Sequence, residues 1–314
     1  MTKNRGLDTV IPLLDSVGNM WKSMCPARLG VIAARFPVSF RKEGMMRRII
    51  TGFLSLLLVA AFVAVPRSHA AESLLSKIKK RGVLIAGVKF DFPPMGFIDK
   101  KTGKPAGFDV DLVREIAKKL GVKVKFVQAL SKTRIPLIIN GNVDLIAATM
   151  THKRSRDKVI DFSIHYLITG QRFITRKDTG IKHISQLAGK RVASVQGGNA
   201  GPNLLKVQPK AIIVPFQEHT ENLLALKQKK VDAMVTDDIL LQWMAKNNPD
   251  LVVPGKLYTI EPYGMGLREN DSDWRDFVNE VILELWETKR YHAIWRKWFG
   301  RNPDFSLQNV WYPK

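Results

Sequence analysis

The chain has 314 residues, enough for one large domain or two ordinary ones. Its residues are 45% hydrophobic and 25% charged, which favours a packed core and excludes a chain that is disordered throughout. A single cysteine excludes an intrachain disulfide and a cysteine-rich metal site. The net charge of +22 suggests an anionic partner, which could be nucleic acid, a membrane surface or an acidic small molecule. The basic residues are spread along the chain without a long run of like charge, so an ordinary solvated basic surface is the alternative interpretation.

Residues 45–70 have the layout of a secretory signal peptide. Arg47 and Arg48 precede an uncharged apolar stretch of 17 residues, 49–65, and the sequence Ser-His-Ala at 68–70 resembles a cleavage site. The apolar stretch is slightly long for a signal peptide and slightly short for a spanning helix, so a retained membrane anchor is the alternative. We therefore expect a periplasmic protein exported by a cleaved N-terminal signal peptide.

The residues in front of this signal are unusual. Met45 or Met46 would be an ordinary translation start, and residues 1–44 are therefore predicted to be a non-native or upstream extension without a fold of its own. The mature chain would then be residues 71–314, with 40 basic and 25 acidic residues, a net charge of +15 and no cysteine. A chain without cysteine avoids stray oxidation in a disulfide-forming compartment.

From residue 83 onward, apolar strand-like runs alternate with amphipathic helical ones. Strands are predicted at 83–88, 122–127, 143–149, 191–195, 211–216 and 231–236. Helices are predicted at 109–120 with Asp109 as the cap, at 135–139, from about 202, at 221–229 and at 273–298. This alternation predicts an α/β fold with mainly parallel sheets flanked by helices.

One internal similarity indicates two lobes with the same connectivity. Residues 140–149 resemble residues 228–237, each being a helix end, a polar turn, Val-Asp and an apolar strand, so that Thr149 corresponds to Asp237. Ligands of open α/β sheets bind outside the carboxyl ends of strands. If the lobes face each other, both residues point into one cleft. The alternative is that this unit is simply common in α/β folds.

The order of motifs resembles the polar-amino-acid-binding proteins of ABC importers, the extracellular solute-binding proteins of family 3. The motifs that carry this resemblance are residues 87–97 (GVKFDFPPMGF), 107–112 (GFDVDL), 133–146 (TRIPLIINGNVDLI), 150–163 (MTHKRSRDKVIDFS), 189–200 (GKRVASVQGGNA), 231–238 (VDAMVTDD), 261–267 (EPYGMGL) and 297–300 (KWFG). The resemblance implies a two-lobed, type II periplasmic binding protein with its ligand in the interlobe cleft. Lobe 1 would comprise 71–174 plus 262–314 and lobe 2 residues 175–261, with hinges near 173–176 and 260–263. It also implies delivery of an amino acid to a membrane-embedded ABC permease by a monomer without a cofactor.

In this family an arginine five residues after a Ser or Thr holds the ligand's α-carboxylate, and Thr151 and Arg156 keep that spacing. The alternative is that Arg156 belongs to a solvated basic face. Gly198 and Asn199, before a helix, would add donors from the other lobe. The family usually has Ser-Thr there, so the hydroxyls are missing, and an ordinary turn is the alternative.

The ligand's ammonium needs an acceptor, and the resemblance implies Asp237 for this role, with help from Thr149. Helix capping is the alternative role for Asp237.

For the ligand side chain, the resemblance implicates Lys89 and Arg134, and two cations favour a carboxylate. The alternative is that they face solvent or a structural acid. Phe92 and Tyr263 are expected to pack the ligand's aliphatic stem. The ligand is therefore predicted to be glutamate or aspartate, with glutamine not excluded.

Enzyme chemistry has little support in the sequence. The six histidines are scattered without metal-ligand spacing, and no nucleophile elbow or P-loop is present. A tethered ligand sensor and a dehydratase-like enzyme on the same fold remain alternatives, because fold alone does not determine function. A nucleic-acid partner would rest on net charge alone, so none is expected.

Overall fold

The computed structural model describes residues 72–307 of the chain. The predicted upstream extension, 1–44, and signal peptide, 45–70, lie outside the described residues, so both stay predictions. Within residues 72–307, no helix is long and apolar enough to cross a membrane.

Helices and strands alternate along most of the described chain, as the sequence predicts. The helices are α1 Leu74–Arg81, α2 Phe108–Leu120, α3 Arg134–Ile139, α4 Ala200–Val207, α5 His219–Lys227, α6 Asp238–Asn247, α7 Ser272–Glu287 and α8 Arg290–Phe299. The strands are β1 Val83–Val88, β2 Asp91–Phe92, β3 Gly96–Ile98, β4 Pro105–Ala106, β5 Lys123–Gln128, β6 Leu145–Ala147, β7 Asp161–Thr169, β8 Gln171–Arg176, β9 Arg191–Val195, β10 Ile212–Phe216, β11 Ala233–Asp237, β12 Leu251–Val252 and β13 Glu261–Leu267.

Two five-stranded sheets form the cores of two lobes. The first sheet has the order β5-β1-β6-β13-β7 and the second the order β10-β9-β11-β8-β12, while β2, β3 and β4 form a small third sheet. In each large sheet two pairings are parallel and two antiparallel, so the expectation of mainly parallel sheets is corrected to mixed sheets. The antiparallel pairs involve β8 and β13, the strands with which the chain enters the other lobe.

The first crossover between the sheets lies at Gly170, between β7 and β8. The boundary expected after residue 174 falls inside β8, all of which pairs within the second sheet. A Cβ at Gly170 would lie 2.4 Å from the carbonyl oxygen of Thr259 on the returning segment. Glycine therefore lets the two crossing segments touch, and we place the lobe boundary there rather than at 174.

Helix α2 packs its apolar side into the first lobe. Val110, Val113, Ile116 and Leu120 are buried at helical spacing, and Gly121 ends the helix in the left-handed conformation. The helix begins directly after Gly107, so the expected cap at Asp109 is wrong. Asp109 is instead fully buried.

We expect Gly107→Ala to lower the free energy of unfolding by about 3 kcal/mol or more. Gly107 has φ 135°, and a Cβ there would lie 2.2 Å from the carbonyl oxygen of Met95. Gly121→Ala is the matched control, because Gly121 also has positive φ but nothing lies within 4 Å of its Cβ position. The control should lose about 1 kcal/mol in urea unfolding of the purified chain. Equal losses in the two variants would contradict the close approach.

Candidate functional site

A small cavity of about 20 Å³ lies between the two lobes. Six of the ten predicted ligand-binding residues line it, namely Phe92, Arg134, Thr149, Gly198, Asn199 and Asp237. The other four, Lys89, Thr151, Arg156 and Tyr263, lie outside the lining but contact residues in or next to it. The corresponding strand-end residues Thr149 and Asp237 thus face one cavity, as the internal similarity predicts.

Two buried cations stand at one end of the cavity. Lys89 is 1% exposed and its Nζ donates to Oγ of Ser131, a lining residue, at 2.9 Å. Arg134 is 3% exposed, and its Nη1 donates to the carbonyl oxygens of Ala148 at 2.8 Å and Thr149 at 3.2 Å. Its buried Nε has no partner among the described residues. Neither cation faces solvent, although the buried carboxylate of Asp91 acts on Lys89. Both cations keep donors that an anion could use.

Burial makes both charges costly. Desolvation lowers the pKa of Lys89 to about 8, against the opposing effect of the nearby Asp91 carboxylate. Desolvation, followed by repulsion from Arg156, lowers the pKa of Arg134 to about 9. An anionic group placed between them would stabilise both charged forms.

Thr149 adopts a left-handed backbone conformation, with φ 48°, that is unusual for a β-branched residue. Its N–H donates to Oδ2 of Asp109 at 3.1 Å, while its carbonyl oxygen accepts from Arg134. Burial raises the pKa of Asp109 to about 7. Asp109 therefore holds the turn that places Thr149 in the lining of the cavity. The sequence predicts helix capping for Asp109 and not this role.

Asp237 forms the acidic wall of the cavity. It is the last residue of β11, and its carboxylate accepts hydrogen bonds from the Tyr263 hydroxyl and from Nε2 of Gln171, the latter at 3.1 Å. Its side chain makes no capping bond to α6, so the capping alternative is wrong. Burial raises the pKa of Asp237 to about 6, with a contribution from the negative charge of Glu261. Gln171 was not among the predicted site residues; it lies just before the hinge expected near 173–176.

Two of the residues expected to hold the ligand's α-carboxylate, Thr151 and Asn199, donate hydrogen bonds to another acid, Glu261. Oγ1 of Thr151 donates to Oε2 of Glu261 at 2.6 Å, and Nδ2 of Asn199 donates to the same oxygen. Arg156 is partly buried, and its Nη1 donates to the Thr151 carbonyl oxygen at 2.6 Å. Gly198 lies in the turn before α4, where its N–H donates to the Val195 carbonyl oxygen at 3.1 Å. Glu261 was not predicted as a site residue, although it begins one of the quoted motifs.

A second pair of residues joins the lobes beside the cations. Oδ2 of Asp91 accepts from the backbone N–H of His219 at 2.7 Å and contacts Nδ1 of the same histidine at 3.0 Å. Both side chains are buried, and Phe92 packs edge-on against the His219 ring with centroids 4.9 Å apart. Hydrogen bonds from His219 hold the pKa of Asp91 well below its usual range, against the opposing effect of desolvation. No local sequence pattern signals this pairing, because the two residues are 128 positions apart.

Comparisons with known proteins identify the family of this chain. The sequence profile of the bacterial extracellular solute-binding proteins, family 3, matches residues 84–301. The chain is 34% identical to the ABC transporter glutamine-binding protein GlnH of Bacillus subtilis (strain 168), over 75% of this chain and 88% of that protein. It is 31% identical to an L-glutamate/L-aspartate-binding protein of Pseudomonas aeruginosa, over 80% of this chain and 88% of that protein. Among solved structures, a mutant of the arginine-binding protein ArgBP from T. maritima superposes with a TM-score of 0.68 at 37% identity, covering 72% of this chain and 99% of that one. The resemblance inferred from the motifs is therefore confirmed, and the chain belongs to the bacterial extracellular solute-binding proteins of family 3.

Proposed function

We propose that this chain is a periplasmic receptor that captures an acidic amino acid, glutamate or aspartate, and delivers it to an ABC permease. The observation that carries the choice of ligand is a pair of buried cations: Arg134 lines the cavity and Lys89 bonds to the lining residue Ser131. A buried charge without a counter-ion is costly, and a ligand carboxylate would supply one to both.

Each group of the ligand has a proposed partner in the cavity. The ammonium lies against Asp237 and the carbonyl oxygen of Thr149. The α-carboxylate is held by Arg156 and Thr151 from one lobe and by Gly198 and Asn199 from the other.

The ligand side chain occupies the cationic end of the cavity. Its carboxylate reaches Lys89 and Arg134, and its aliphatic stem packs against Phe92 and Tyr263. This proposed arrangement uses all ten residues that the sequence singles out, six of which line the cavity.

The proposed mechanism is capture by closure. Because the ligand bonds to residues of both lobes, it stabilises the closed arrangement more than any open one. The flexible connections would be the crossover at Gly170 and the returning segment, residues 253–260. The closed monomer is the form that we expect the permease to recognise.

The relatives named above carry different ligands in their names: glutamine, glutamate or aspartate, and arginine. Charge separates these classes here. Arginine would bring a third cation to Lys89 and Arg134, whereas glutamine would add no negative charge beside them. An acidic side chain is the one that neutralises them.

A thermal-shift panel of the twenty amino acids, followed by calorimetry of the best ligand, tests this proposal. A ligand at a hundred times its Kd stabilises the folded state by about 2.7 kcal/mol, so a true ligand raises the melting temperature measurably. We expect glutamate or aspartate to give the largest rise. A larger rise with arginine, or none with any amino acid, would contradict the proposal.

The similarity to one further solved structure makes an enzymatic function the second candidate for this chain. The crystal structure of an ancestral amino-acid-binding protein, AncCDT-1, described as a precursor of cyclohexadienyl dehydratase, superposes with a TM-score of 0.68 at 34% identity, covering 72% of this chain and all of that one. Incubation with amino acids and prephenate-like acids, followed by mass spectrometry, would detect turnover. We expect no product.

The mass of the exported protein tests the predicted signal peptide. We expect it to show that residues 1–70 have been removed.

A further inference from the structure

Glu261 joins the two lobes through its side-chain carboxylate. It is 1% exposed and begins β13, where the chain re-enters the first lobe. Oε2 accepts from Oγ1 of Thr151 in the first lobe and from Nδ2 of Asn199 in the second. Oε1 accepts from Nδ2 of Asn203, on α4, at 3.1 Å. One carboxylate thus collects donors from both sides of the cleft.

These donors have little capacity left for another acceptor. A hydroxyl has a single hydrogen, and that of Thr151 is given to Glu261. An amide nitrogen has two, and those of Asn203 go to Glu261 and to Oε1 of Gln171 at 3.0 Å. A ligand carboxylate can bond to Thr151 only when Glu261 releases it.

Repulsion between negative charges also indicates that Glu261 and the ligand carboxylate compete for the same donors. Glu261 already lies close enough to Asp237 to raise its pKa, and it supports the charged form of Arg156. A ligand carboxylate beside Thr151 would be a further negative charge in this partly dry space. Like charges at such distances cannot all stay ionised without a large cost, so the two carboxylates exclude each other from these donors.

We propose that Glu261 is an internal competitor of the ligand's α-carboxylate: it bridges Thr151 to Asn199 and Asn203, and the amino acid must displace it to bind. This inference rests on the proposed function for the identity of the ligand, but the bridge itself does not. Glu261 therefore sets the affinity of the receptor, by holding the same donors that the ligand needs.

Calorimetric titration of L-glutamate into Glu261→Gln tests the competition. The substitution keeps the size of the side chain and removes its charge, so we expect the affinity to rise about tenfold. Glu280→Gln is the matched control, because Glu280 is an exposed acid on α7 and its loss changes the net charge equally. The control should leave the affinity unchanged. An unchanged or weaker affinity in Glu261→Gln overturns the proposal.

The bridge can also be tested without any amino acid. Spin labels on Lys125→Cys of β5 and Leu224→Cys of α5, in a Cys25→Ser background, report the distance between the lobes; Leu224 is 55% exposed. We expect Glu261→Gln to lengthen this distance and Glu280→Gln to leave it unchanged. An unchanged distance in Glu261→Gln overturns the bridge. If neither the wild type nor Glu261→Gln binds any amino acid, the proposed function and the proposed competition are both contradicted. The distance between the spin labels still decides whether Glu261 joins the lobes.

Discussion

Replacing Asp237 by asparagine is expected to lower the affinity for L-glutamate at least a hundredfold. Asparagine keeps the shape of the side chain and can still accept from the Tyr263 hydroxyl, but it carries no charge to balance the ligand's ammonium. A hundredfold loss corresponds to about 2.7 kcal/mol, close to the range expected when one partner of a buried charge pair is removed. Calorimetry at pH 8 measures the change directly.

The same variant has a defined effect on stability. The pKa of Asp237 is raised from 3.8 to about 6, so the ionised form costs stability as the pH rises through that range. The Asp237→Asn substitution removes this cost, and the ligand-free variant should be at least as stable as the wild type at pH 8. Wild-type affinity should fall as the pH drops below about 6, whereas the affinity of the variant should stay flat.

Asp238→Asn is the matched control for this prediction. Asp238 is the neighbouring acid, but its carboxylate pairs with Nη1 of Arg172 at 3.1 Å, away from the cavity lining. We expect it to retain wild-type affinity within about threefold. Wild-type affinity in Asp237→Asn, or equal losses in both variants, would remove Asp237 from the site.

The second large effect is expected from Lys89→Met, which should reduce the affinity for glutamate about a hundredfold and for glutamine much less. Methionine fills much of the same space but cannot bond to a side-chain carboxylate, so the preference between the two ligands should narrow or reverse. Lys89→Asp should weaken acidic ligands further and favour a basic one. Competition calorimetry with glutamate, glutamine and arginine measures all three preferences.

Measuring the stability of Lys89→Met distinguishes a loss of affinity for glutamate from misfolding of the variant. The pKa of Lys89 is lowered from 10.5 to about 8, so its charge costs stability below pH 8, and that cost disappears as the pH rises above about 10. Lys89→Met removes it and should be no less stable than the wild type at pH 7. Lys125→Met, at an exposed position of β5, is the control and should leave both stability and ligand preference unchanged. An unchanged preference between glutamate and glutamine in Lys89→Met would contradict the proposal of an acidic ligand.

The sequence predicts the elements of this fold better than their ends. Periodicity finds α2 and β1 almost to the residue, because their buried faces repeat without interruption. It merges α7 and α8 into one helix, since the apolar pattern continues across Lys289, which breaks the helix with φ 60°. A single left-handed residue leaves no periodic signal.

The site shows a similar division. Thr149 and Asp237, at the ends of strands in the two sheets, could be placed in the cavity from sequence because ligands of open α/β sheets bind outside the carboxyl ends of strands. Glu261 and His219 could not, because each contacts a partner in the other lobe, and Gln171 could not, because its side-chain partners are 28 to 66 positions away in sequence. The contacts between the lobes depend on how two separate sheets meet, and no local pattern encodes that arrangement.

A crystal structure of the chain grown with L-glutamate tests the central claim most directly. We expect the ligand in the interlobe cavity, with its ammonium within hydrogen-bond distance of the Asp237 carboxylate and its side-chain carboxylate on Lys89 and Arg134. Glutamate bound outside this cavity, or bound with its ammonium at the two cations, would contradict it.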